Sequence, residues 1–127
     1  MLHELKKVSQ PQKTPGYRRW FSDDDMELVV WYSLAGVIRG FQLCYDRDGH
    51  ERAFTWHVDA GMVHTAVDRG DDSPLRNDAP ILVPDGIPGT DLALAQFKER
   101  AQGLDPEIVA LVTRKLEAFR RRGVEAA

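Results

Sequence analysis

At 127 residues, 43% hydrophobic and 29% charged, the chain is sized for one globular domain with a modest core and leaves no room for a second. Its formal net charge of −3 and pI of about 5.8 argue against a protein that works chiefly by neutralising a phosphate backbone or an anionic membrane. The single cysteine, Cys44, excludes an intrachain disulfide; with no signal-peptide core at Met1 to Lys7 and no apolar run of membrane-spanning length, the expectation is a cytoplasmic protein that touches no membrane.

Residues 1 to 16, with Pro11, Pro15 and Gly16 among Lys and Gln, read as a flexible arm with at most a helical turn around Leu2 to Val8, leaving residues 17 to 127 as the domain. From Tyr17 to Asp68 the pattern is five short strands joined by tight turns. Asp23 to Met26 makes the first turn, with a loop length that has to be assumed. Four residues there set Phe21 against Leu28, Trp20 against Val29 and Arg18 against Trp31, and leave Arg19 among core residues unless a bulge turns its head to solvent. Ala35-Gly36 makes the second turn, setting Leu28 against Leu43, Val30 against Phe41 and Trp31 against Gly40. Asp48-Gly49 suits a type I′ turn, since both its central positions need positive φ; it sets Leu43 against Phe54, Phe41 against Trp56 and Gln42 against Thr55. A loop centred on Ala60-Gly61 then sets Val58 against Val63 and His57 against His64.

Beyond Asp68, the prolines at 74, 80, 84 and 88 make an extended connector in which Ile81-Leu82-Val83 is either a sixth strand or a buried loop. Asp91 to Gln102 and Pro106 to Arg122 carry helical spacing. In the second, Ile108, Val112, Leu116 and Phe119 form one stripe, with Asp105 as N-cap, Pro106 at the first position and Gly123 past the end; Arg120-Arg121-Arg122 then meet the negative end of the helix dipole. The fold class is α+β: a five- or six-stranded antiparallel meander with two C-terminal helices packed on one face.

Alternation divides the sheet into two faces. One carries Phe21, Leu28, Val30, Phe41, Leu43, Phe54, Trp56, Val58, Val63 and Val67 and is the expected core face. The other carries Arg18, Trp20, Glu27, Val29, Trp31, Ile38, Gln42, Cys44, Thr55, His57, His64 and Asp68, too apolar for a plain solvated surface and too polar for a dry core. On it, Arg18, Trp31, Gly40, His57 and His64 fall in one row. Gly40, without a side chain between Trp31 and His57, leaves a groove that Trp31 folds over or a ligand enters.

Cross-strand neighbours lie roughly 4.5 to 5.5 Å apart at Cβ, close enough for His57 and His64 to share a proton or, with Asp59 as a third ligand, a metal. The spacing His57-x6-His64 matches no metal signature, and two histidines that merely share a polar face account for it equally. Cys44 on a mid-sheet strand reads as a small hydrophobe rather than a nucleophile. The acidic stretches Asp23-Asp24-Asp25 and Asp68 to Asp72 read as solvated turns, and Pro84 to Gly89 as turn chemistry rather than a phosphate cradle. No motif calls for a cofactor. Arg18, Trp20 and Trp31 have the ingredients of a base-stacking platform, but the acidic total, Glu27 and Asp68 weigh against nucleic acid.

The segments Arg18-Arg19-Trp20-Phe21, Glu27 to Trp31, Phe41-Gln42-Leu43-Cys44-Tyr45-Asp46 and Phe54-Thr55-Trp56 resemble a pattern in a group of small uncharacterised bacterial proteins. The likeness spans roughly the N-terminal two-thirds of the chain. It implies a bacterial origin and carries no activity, cofactor or catalytic residue onto these positions.

Aromatics and Arg enriched, Lys absent, is the composition of an interface. The leading expectation is therefore a non-catalytic binding or assembly module that forms a homodimer through Arg18, Trp20, Trp31, Gln42, Thr55, His57 and His64. The alternative is a small-molecule-binding protein or enzyme built on the same face, with His57 as general base or ligand, His64 its partner, Arg18 an anion clamp and Trp31 a wall.

Overall fold

A computed structural model describes residues 1–6, 16–46, 51–68, 81–84 and 89–126. Among these residues, seven strands follow one another across the sheet in chain order, each antiparallel to the last: β1 (His3–Glu4), β2 (Tyr17–Ser22), β3 (Glu27–Tyr32), β4 (Ile38–Tyr45), β5 (Arg52–His57), β6 (Gly61–Asp68) and β7 (Ile81–Pro84). Two helices, α1 (Thr90–Arg100) and α2 (Pro106–Ala126), complete the α+β fold. The Asp48-Gly49 turn and most of the proline-rich connector lie outside the described residues.

The helices cover the face that alternation marked for them. Leu28, Val30, Phe41, Leu43 and Phe54 join Phe97, Ile108, Val112 and Leu116 in one buried cluster. Each such side chain taken from water contributes on the order of 1.5 to 3 kcal/mol. Phe119 closes the stripe edge-on against Phe54, with ring centroids 5.5 Å apart. The Asp105 carbonyl accepts the Ile108 N–H at 3.0 Å, so α2 begins where the Asp-Pro pair indicates. It does not end at Gly123 but runs on to Ala126. The arginines therefore precede the last turn, and Arg120 reaches across to Asp91 on α1 at 2.9 Å instead of facing the dipole.

Residues 2 to 5 are tied into the fold. His3 and Glu4 pair with Ser22 and Phe21, the Leu2 N–H donates to the Arg100 carbonyl at 2.9 Å, and the Leu2 side chain is buried in the core. The expected helical turn from Leu2 is thus a short edge strand. Arg19 explains why the chain holds there: without any bulge, its guanidinium lies between both Glu4 oxygens, at 2.8 and 2.9 Å, and Asp105 at 2.8 Å. Those contacts, the Glu4 hydrogen bond foremost, raise the Arg19 pKa, and the same bond holds Glu4 below its ordinary carboxylate value.

Registers from β2 to β5 match the turn-based expectation pair by pair, including Arg18 with Trp31, Trp31 with Gly40 and Gly40 with His57. Two departures matter. At the β3–β4 end the register slips after Trp31, so Tyr32 pairs with Ile38. The extra residue, Arg39, is left over, and Ile38 moves to the helix face, where it packs against the core. At β5–β6, His57 pairs with Gly61, Trp56 with Met62, Thr55 with Val63 and Phe54 with His64. The loop is Val58-Asp59-Ala60, closed by the Ala60 N–H to the His57 carbonyl at 3.0 Å, and Gly61 follows at φ 76°. Such a turn ends in a left-handed residue that only glycine adopts easily, so Gly61 begins the strand rather than centring the loop. The slip is three residues, an odd number, and it exchanges the two faces of β6. Val63 is accordingly 49% exposed rather than buried, Val58 in the loop is 47% exposed, and Trp56 is only partly buried at the margin of the core.

Candidate functional site

The exchange of faces takes the histidines apart. His64 sits on the core side, buried, with its ring 4.3 Å from that of Phe54 and its Nε2 2.6 Å from the Tyr45 hydroxyl. His57 remains on the second face at the end of β5. The proposed shared proton or metal between them is therefore ruled out by the β5–β6 turn, and Asp59 cannot complete a site with both. Among the described residues, no three His, Cys, Asp or Glu side chains converge as metal ligands.

The rest of the row holds together. Arg18 from β2, Trp31 from β3, and Thr55 and His57 from β5 line one half-open cleft of about 720 Å3 at the end of the sheet. Gly40 lies beneath it. A Cβ at that position would stand 3.2 Å from both the Trp31 ring and His57 Cδ2, and 2.6 Å from the Trp56 carbonyl oxygen. The bare backbone is what lets the indole and imidazole converge. Trp20 and Gln42 occupy the adjoining row and do not line the cleft; Trp20 meets it only through Arg18, whose guanidinium carbon lies 5.3 Å from the Trp20 ring centroid.

Several lining groups were not visible in the alternation pattern. Arg39 enters because the irregularity after Trp31 sets it apart from the ladder. Its guanidinium contacts Asp59 at 3.3 Å. Tyr17 and Tyr32 stack at 4.9 Å and 7°, and Leu34 forms an apolar lip that is 78% exposed. Burial raises the Tyr32 hydroxyl pKa, against the opposing pull of Arg19.

His57 is oriented by its own turn. The Asp59 backbone N–H donates to His57 Nδ1 at 3.3 Å. In the neutral ring that leaves the proton on Nε2, so the histidine faces its surroundings as a donor. The Thr55 hydroxyl is buried in the cleft lining with no hydrogen-bond partner among the described residues. A buried hydroxyl without a partner costs free energy, and this one lies just behind the cleft wall.

The acidic turn at 23–26 is a structural joint rather than a cation site. Asp23 Oδ1 accepts the Asp25 and Met26 N–H groups, both at 2.8 Å, while Oδ2 meets Arg100 at 3.0 Å. Burial pushes the Asp23 pKa up, but those hydrogen bonds and Arg100 outweigh it and hold it below the ordinary value. Arg100 also meets Asp25 at 2.8 Å. Cys44 is buried. Among the described residues no helix is long and apolar enough to cross a membrane. Compared with protein-family models, curated proteins and solved structures, the chain matches none.

Proposed function

We propose that this protein is a binding domain whose site is the cleft bounded by Arg18, Trp31, Arg39 and His57. The observation that carries the reading is the cleft itself. Its volume of about 720 Å3 falls within the range of roughly 300 to 1,000 Å3 typical of small-molecule sites, and it combines aromatic walls with a few convergent polar groups. The lining supplies recognition more plainly than catalysis: the Ser33 hydroxyl already accepts the Val37 N–H at 3.2 Å within its turn, and His57 is held by the Asp59 amide. A thermal-shift screen of small molecules tests the reading. Compounds that stabilise the wild type should lose their effect in Trp31→Ala and His57→Ala, both retaining wild-type circular dichroism; hits that survive in both variants would place binding elsewhere.

A homodimer through this end of the sheet is the second reading, favoured by the exposed Leu34, Val37 and Val58 on the adjoining turns. Light scattering should then give twice the 14.4 kDa chain mass, and Leu34→Glu should return it to one chain. A wild type that is monomeric at high concentration rejects that reading and leaves the cleft to a small molecule.

A further inference from the structure

Resting on the cleft as a ligand site, we propose that its occupant is a planar aromatic carboxylate, a flat apolar body carrying one anionic head. The sign comes from the lining. Arg18, Arg39 and His57 line it, and none of its described lining residues is a carboxylate, in a chain whose net charge is −3. Asp59, outside the lining, makes a single contact with Arg39 at 3.3 Å, and the same carboxylate oxygen lies 3.8 Å from His57 Nδ1. A guanidinium has five N–H donors, so that contact leaves Arg39 able to pair with an incoming anion.

The shape comes from Gly40. Trp31 and His57 converge over the missing side chain, and the parallel Tyr17–Tyr32 stack borders the same space. Flat side chains of this kind bind a flat ring by offset or edge-on contacts better than they bind a branched chain.

The head is a carboxylate rather than a phosphate because of where the donors come from. Phosphate sites exploit helix N-termini and runs of backbone N–H groups. Neither α1 nor α2 contributes to this described lining, which comes from strands paired in the sheet, from Gly16 just before β2 and from the turn between β3 and β4. What remains are side-chain donors; a guanidinium pairs bidentately with a carboxylate as it does with a phosphate, so it is the absence of a helix N-terminus from the described lining that favours the carboxylate.

Titrations of the full chain with naphthoate, naphthamide, naphthylmethylammonium and inorganic phosphate, followed by two-dimensional NMR, test the proposal. Naphthoate should shift the Trp31 indole N–H and the Gly40 and His57 amides, and bind at least about tenfold more tightly than naphthamide, the amount one charge-assisted hydrogen bond supplies. Arg39→Gln, at an exposed position, should weaken naphthoate about tenfold and leave naphthamide unchanged. Naphthamide or the cation binding as well as naphthoate would overturn the anionic head, and phosphate displacing naphthoate at equal concentration would overturn the carboxylate. If none of the four moves a cleft resonance, the cleft itself is refuted as the site, a result distinct from binding with the wrong charge preference.

Discussion

Gly40 is the residue on which the site turns, because a side chain there would meet the Trp56 carbonyl at 2.6 Å and press on both rings above it. Backbone on one side leaves little room to yield. Gly40→Ala should lower the unfolding midpoint in denaturant by the equivalent of about 1 to 3 kcal/mol, the usual range for overpacking a close-packed position. A neutral result would mean that Trp31 and His57 are not drawn together over the backbone. On the opposite face, Tyr45→Phe removes the hydroxyl 2.6 Å from His64 Nε2. It should cost about 1 to 3 kcal/mol, the range for taking a partner from a buried polar group. The double variant Tyr45→Phe/His64→Phe should lose less than the sum of the two single variants, and losses that simply add would show that the pair is not coupled. Trp31, Gly40 and His57 were legible in sequence because the turns that align them have defined lengths, and Arg18 joined them because the four-residue turn assumed at Asp23 to Met26 matches the register found. His64 was misplaced because Gly61 serves equally well as a loop centre or as the left-handed residue closing a three-residue loop, and the two choices differ by an odd number of residues.

At the scale of elements, β1 is the part least visible in the chain and most dependent on a single side chain. Two residues make no alternation pattern, and the signal that holds them, Arg19, looks from sequence like a misplaced charge in a core strand. In the fold it joins β1, through Glu4, to the start of α2, through Asp105. Arg19→Met should preserve the sheet yet speed hydrogen exchange at the Leu2 and Leu5 amides, which bond to the Arg100 and Trp20 carbonyls. The Val30 and Phe41 amides should keep their protection, whereas uniform acceleration would show that Arg19 supports the whole fold rather than its edge. The irregularity after Trp31 has the same character: it brings Arg39 to the cleft and Ile38 to the core, and no turn residue announces it. The helices were plainer, since a stripe of apolar positions begun by Asp-Pro leaves few alternatives.

For the whole molecule, pH links the acidic turn to stability. Asp23 and Glu4 both have pKa values below their ordinary 3.8 and 4.5 in the folded state. The unfolded chain therefore binds more protons as pH falls through and below those values, and the stability they contribute, fully present above them, is lost toward the lower folded values. Chemical denaturation should show a plateau above pH 5 or so and a decline below about 4, flattened in Asp23→Asn. A decline of equal steepness in that variant would assign acid sensitivity to other groups. The sheet, its two faces and the cover of helices follow from alternation and apolar spacing; the cleft follows only once the register between neighbouring turns is known. Its status as a binding site is tested most directly by protein-observed NMR against a chemically diverse set of small molecules. Resonances of Gly16, Trp31, Ser33, Gly40 and His57 should move together on binding; shifts confined to residues outside the cleft, or none at all, would contradict it.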